Sequence, residues 1–135
     1  MQNQLIDKLA WIYIKDRKIL STRSHGKDAW YIPGGKREGD ESDQQALIRE
    51  VKEELTVDLQ PETIKYLGTF KAQAHGKAEG VIVQMTCYTA EFDGSIKPSA
   101  EIAEIVWYDS TVDHAFLSPV DIIIFGFLKK RDLID

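Results

Sequence analysis

One cysteine, three histidines and four prolines in 135 residues leave little room for several kinds of chemistry. A lone cysteine, Cys87, excludes an intrachain disulfide and any multi-cysteine zinc site, and its place in the apolar run VIVQMTCY marks it as core filler rather than a nucleophile. His25 and His114 are not spaced as a metal-binding pair, while His75 lies in the polar loop AHGKAEG, where a lid over a ligand and a solvated side chain are both open readings. No stretch reaches the roughly 18 apolar residues of a membrane span, and MQNQLIDK lacks the basic start and apolar core of a secretory signal. The expectation is a cytoplasmic protein with no membrane partner. Basic charge is also short: Lys and Arg number 17 against 22 acids, a net charge of -5, so no basic track offers itself to a long nucleic acid. A nucleotide is not excluded, because a divalent cation reverses the local sign around a phosphate.

What is present fits one domain, residues 1–135, with a continuous core and a single site. Ala10 to Ile14 read as a strand, KDRK as a turn, and the next run as its antiparallel return. AWYIPGGKREGD, with Pro33, Gly34, Gly35 and Gly39, reads as a loop. Trp30 and Tyr31 before it suit either core packing or stacking on a base. A helix is expected over 43–55, opened by Ser42 and Gln45 at capping-box spacing. Further strands are expected at 64–72, 80–90 and 104–108, and a second helix over 117–131, begun by Ser118-Pro119 and closed by KKRD. The sum is a mixed sheet with two helices, in an α+β or layered α/β/α arrangement, without internal repeats.

The first helix carries an unusual charge pattern. At about 100° per residue, with Leu47 as zero, Ile48, Val51 and Leu55 fall within about 100° of it and form an apolar stripe. Glu54, Glu50 and Glu53 fall at about 340°, 300° and 240°, an acidic face beside that stripe. Like charges one turn apart destabilise a helix by roughly 0.2 to 0.5 kcal/mol per pair, so positive charge is expected nearby. Three readings stand open on the residues alone: a salt-bridged exposed helix using Arg49 and lysines, a divalent metal site, or an acidic face for a protein partner. Gly34 and Gly35 permit close backbone approach and one more carbonyl oxygen, and Glu41 can reach the same cluster if the loop folds back. Lys77 and Glu79 suit a lid or a simple polar loop equally.

Gly35, five residues, Glu41, seven residues and then REVKEELTV from Arg49 to Val57 resemble the Nudix box, which would span residues 35–57 here. Every position of the pattern fits except one, where Thr56 stands for a glycine. The resemblance implies the Nudix α/β/α sandwich, with a mixed sheet between helices. It further implies Mg²⁺, or Mn²⁺ in its place, held by Glu50, Glu53, Glu54, Glu41 and the Gly35 carbonyl, with Arg49 orienting the glutamates. Glu53, Glu50 and Arg49 are then the catalytic set, and Glu101 or Glu104 outside the box is a candidate general base. Lys36, Arg23, Gln84 and Asp121 are the candidate substrate contacts, Asp121 because SPVD resembles the place where some relatives read a base. Thr56 suggests a helix exit that is not left-handed, and Gly39-Asp40-Glu41 in place of Gly-Glu directly before the helix suggests a reshaped loop.

The reaction so implied is attack of metal-activated water on a diphosphate bridge. No SQPWPFP-like run marks NADH hydrolysis, and the proline and tyrosine signatures of ADP-ribose and dinucleoside polyphosphate hydrolases are missing. A nucleoside triphosphate or modified dNTP is left as the expected substrate, cut to a nucleoside monophosphate and pyrophosphate. Another nucleoside diphosphate derivative, an RNA 5′ end or a non-catalytic nucleotide sensor are the alternatives. A homodimer is compatible with the sequence, although no coiled-coil pattern specifies one.

Overall fold

The computed structural model describes residues 4–135. Strand β1 (Gln4–Trp11) lies centrally in a four-stranded mixed sheet, with β4 (Gly34–Gly35) antiparallel on one side and β7 (Val81–Thr89) parallel on the other. The edge beyond β7 is β6 (Lys65–Gln73), an antiparallel neighbour. A second sheet joins β2 (Ile14–Lys15), β3 (Lys18–Ser24) and β9 (Ile102–Tyr108), and the short β5 (Asp58–Leu59) and β8 (Phe92–Asp93) pair with each other.

Alternation along β1 explains the layering. Leu9 and Trp11 point to one face and join Leu47, Val51 and Leu55 of helix α1 (Asp43–Leu55). Ala10 and Ile12 point to the other and join Val83, Met85 and Cys87 of β7 with Ile124, Phe125 and Leu128 of helix α2 (Pro119–Lys130). Successive strand residues face opposite ways, so one strand supplies both cores of a helix/sheet/helix sandwich. Full burial of each large aliphatic side chain in these cores contributes roughly 1.5–3 kcal/mol.

Both helices begin as the sequence predicts. The Ser42 hydroxyl accepts from the Gln45 N–H and the Gln45 side chain accepts from the Ser42 N–H, while Ser118 caps α2 by accepting from the Asp121 N–H. Two expectations are corrected. The first strand ends at Trp11 rather than running from Ala10 to Ile14, and the turn at Asp16 and Arg17 has φ of 52° and 62°. Arg17 is held there by Asp132 and Asp135, so side-chain pairing replaces the glycine normally wanted at such a turn. Thr56, in turn, does leave α1 in the left-handed region, at φ 63° and ψ 17°. Its hydroxyl donates to the Ser95 carbonyl at 3.1 Å, a bond glycine cannot make, which offsets part of the roughly 1–2 kcal/mol cost of that conformation. The loop before α1 places its own left-handed residue at Gly39, φ 54°, and leaves Asp40 unstrained.

Candidate active site

Two glycines allow the loop and helix to meet. Gly34 has φ 146°, and a Cβ there would lie 1.9 Å from the Leu9 carbonyl oxygen of β1. At Gly35 a Cβ would lie 2.5 Å from the Glu50 Cδ, so the carboxylate rests directly against bare backbone. The Gly34 N–H donates to Glu54 Oε1 at 3.0 Å. Residues 50 and 54 stand one helical turn apart on the same side of α1, and β4 meets both of them.

Arg49 organises the outer half of the cluster. Its Nε and Nη2 donate to both Glu41 oxygens at 2.7 and 2.8 Å, a bidentate pair, and Nη2 also reaches the Lys36 carbonyl at 3.0 Å. Nη1 donates to Glu50 at 2.9 Å and to Glu53 at 3.4 Å. Glu41 accepts as well from the Glu38 N–H, and Arg49 holds its carboxyl down at about 2. The expectation that the loop folds Glu41 back onto the helix thus describes the geometry, with arginine rather than open space between them.

The inner carboxylates behave oppositely. Glu54 is only 7% exposed, and burial pushes its carboxyl up to about 8, with Glu50 and Glu101 adding to the push against the Gly34 N–H. Burial likewise raises Glu50, in opposition to Arg49. Raised proton affinity in carboxylates gathered at a cleft marks a candidate functional site.

These groups border a cavity of about 900 Å³. Gly35, Lys36, Glu50, Glu54 and Glu101 line it together, and the β6–β7 loop adds His75 and Lys77. The other candidates lie elsewhere. Glu53 is half-exposed on the outer side of Arg49. Arg23 and Glu104 pair with each other across β3 and β9, away from the cavity lining, and Arg23 lies over the Trp30 ring. Gln84 faces Asp7, 3.4 Å away, instead of the cavity. Asp121 is 1% exposed; its Oδ2 accepts from the Ile32 N–H at 3.3 Å and its Oδ1 has no partner among the described residues. It sits behind the lining residues Ile32, Ser118 and Val120.

Two features escape a reading by motif. Arg37 joins Asp7 of β1 to Asp43 of α1, and the Tyr88 hydroxyl donates to Asp43 at 2.6 Å, which pins the glycine loop to strand and helix. Lys8 of β1 also lines the cavity. The only sequence signal for it is a lysine at the register shared by Ile6 and Ala10, the α2-facing side of the strand.

No three Asp, Glu, His or Cys side chains among the described residues are gathered closely enough to enclose an ion as they stand. The donor chemistry nonetheless fits a hard divalent cation. It offers oxygen ligands only, carboxylates whose proton affinity is raised by burial and by like-charged neighbours, and glycine backbone at Gly35 packed against the Glu50 carboxylate.

A mixed sheet between two helices, with a glycine loop locked onto the acidic side of the first, is the architecture of a Nudix hydrolase. The chain belongs to that family: residues 8–115 match the NUDIX domain model. It is 30% identical over 135 residues to the CTP pyrophosphohydrolase of Escherichia coli (strain K12), covering 95% of each chain. A shorter match, 38% over 55 residues, links 41% of the chain to 46% of the 8-oxo-dGTP diphosphatase of Proteus vulgaris. Among solved structures, that of the E. coli ORF135 protein aligns with a TM-score of 0.73 and 28% identity, over 96% of this chain and 92% of the other. The protein is therefore a hydrolase of nucleotide diphosphate linkages, in a family that uses divalent metal ions. Neither described helix is long and apolar enough to cross a membrane.

Proposed function

We propose that the protein is a Mg²⁺-dependent pyrophosphohydrolase of nucleoside triphosphates, releasing a nucleoside monophosphate and pyrophosphate, with cytidine nucleotides as its first candidates. The observation that carries this reading is the packing of Glu50 and Glu54 against the Gly34–Gly35 backbone, with Glu101 beside Glu54, in the lining of a cavity that also includes the apolar side chains of Ile6, Val83 and Met85. The carboxylates suit a polyphosphate carried with a cation, and the apolar side chains a base. Likeness to the CTP pyrophosphohydrolase supports the choice of nucleotide.

Glu50, Glu54 and the Gly35 carbonyl would hold the metal, with Glu53 joining from the rim. Bound there, Mg²⁺ would neutralise phosphate charge and lower the pKa of a water. Arg49 and Glu41 fix the orientation of Glu50 and Glu53, so their role is positioning rather than contact with substrate. Lys36, which lines the cavity next to Gly35, would meet a phosphate oxygen. Of the two proposed general bases outside the box, Glu101 borders the cavity beside Glu54 whereas Glu104 is engaged by Arg23, which favours Glu101 as acceptor of the water's proton.

Hydrolysis of the common NTPs, dNTPs and oxidised dNTPs with Mg²⁺, with the products identified, tests this directly. Glu50→Gln and Glu54→Gln are expected to lower kcat/KM by at least about 100-fold. Full activity in both variants would remove the proposed site, and inorganic phosphate as the sole product would overturn the reaction assigned.

A further inference from the structure

Lys8 is out of place as a structural residue. It stands on β1 between Ile6 and Ala10, and its register partner on β7 is Met85. Around it, Ile6, Val83 and Met85 form an apolar part of the cavity lining. A lysine in such a floor normally pairs its ammonium, because desolvating an unpaired charge is expensive. Lys8 enters none of the ion pairs found among the described residues, and no side-chain hydrogen bond there uses it. Its surroundings lower its proton affinity, burial first and Lys36 second, against the opposing pull of Asp121, Glu54 and Glu50. Selection for stability alone would favour an aliphatic residue at this position.

The phosphate end of the cavity is marked by Gly35, Lys36, Glu50 and Glu54, beside β4. Lys8 stands on the α2-facing side of β1, within electrostatic reach of Lys36 and Glu54, and Tyr31, Ile32, Ser118 and Val120 line the same cavity. Asp121 lies behind that wall without reaching its surface, in a setting where burial disfavours its charged form. An ammonium carries three donors and no acceptor, so its complement on a ring is a carbonyl oxygen or an unprotonated ring nitrogen.

We propose that Lys8 is a specificity-determining residue, whose ammonium donates to an acceptor atom on the base of the bound nucleotide. The inference rests on the nucleotide reading of the cavity made above. It assigns direct reading of the base to the strand residue rather than to Asp121.

Equilibrium binding separates the base from the phosphate without requiring turnover. Cytidine 5′-monophosphate and ribose 5-phosphate are titrated by calorimetry into the wild-type full chain and into Lys8→Met, with Lys8→Gln as the second variant should the first not fold. Met preserves the length and apolar stem of the side chain. The expected result is weakening of cytidine monophosphate binding by about 10-fold or more in the variant, the loss of one charge-assisted hydrogen bond, with ribose 5-phosphate binding unchanged. Equal weakening of both ligands would place Lys8 on the phosphate and overturn the proposal, as would unchanged binding of both. A wild-type protein that hydrolyses no nucleoside triphosphate, yet shows the selective loss at Lys8, would refute the activity while sustaining this inference. Failure of the wild type to bind any of the four nucleoside monophosphates would refute both.

Discussion

Asp121 offers a sharp test of how this interior handles charge. Burial pushes its carboxyl up to about 7 from an ordinary 3.8, despite the Ile32 N–H, the charge of Lys8 and Ser118 acting the other way. Between those two values the folded chain holds a proton that the unfolded chain has released. Stability from this group is therefore greatest at acid pH, falls as the pH rises from about 4 to about 7, and is level above that. A displacement of about 3 units at 1.36 kcal/mol each amounts to about 4 kcal/mol at most. Asp121→Asn removes the titration while its amide oxygen still accepts from Ile32. Urea unfolding followed by tryptophan fluorescence, at intervals from pH 4 to pH 8, gives ΔG for both proteins. The variant should gain on the wild type with rising pH, by up to about 4 kcal/mol near pH 8. Glu54, pushed up to about 8, contributes a falling background in both proteins, so the difference between the two curves is the quantity that decides. Parallel curves would show that Asp121 titrates normally and that the account of its burial is wrong.

Other perturbations test the remaining geometry. Gly35→Ala drives a methyl group into the Glu50 carboxylate, 2.5 Å from Cδ; kcat/KM should fall by about 100-fold while the chain still folds by circular dichroism. Arg49→Lys cannot span Glu41, Glu50 and Glu53 as the guanidinium fork does, and should raise the Mg²⁺ concentration for half-maximal activity by about tenfold, read from metal titrations of the initial rate. Thr56→Val keeps the shape at a left-handed position and loses the bond to the Ser95 carbonyl, so urea midpoints should report destabilisation of about 1 kcal/mol without a change in kcat.

How much of this was legible in the sequence depended on how local the deciding interactions were. The bounds of α1 follow from Ser42, Gln45 and a run of strong helix formers, all within one segment, and Ser118-Pro119 announces α2 in the same way. The pairs Asp58–Leu59 and Phe92–Asp93 are too short for any alternation to show and exist because their strands meet across the fold. Thr56 was misleading for a related reason. Its left-handed φ contradicts intrinsic preference and is supported by a carbonyl 39 residues away, contact that no window around the helix end contains.

In the site, the carboxylates were legible and their division of labour was not. A helical wheel places Glu50, Glu53 and Glu54 on adjoining faces, but it cannot show that the Gly34 N–H draws Glu54 inward while Arg49 holds Glu53 at the rim. Arg37 is similarly silent in sequence, since Asp7 and Asp43 become neighbours only when β1 and α1 pack. Lys8 is instructive in the opposite sense. A charge on the core-facing register between Ile6 and Ala10 breaks the alternation that would have announced β1, which begins at Gln4 and was legible only from Ala10. Local rules fail most tellingly at functional positions, where a residue is kept against its structural preference. The same lysine that shortens the legible part of the first strand also lacks an ion pair among the described residues, so the broken alternation and the proposed role of its ammonium rest on a single feature.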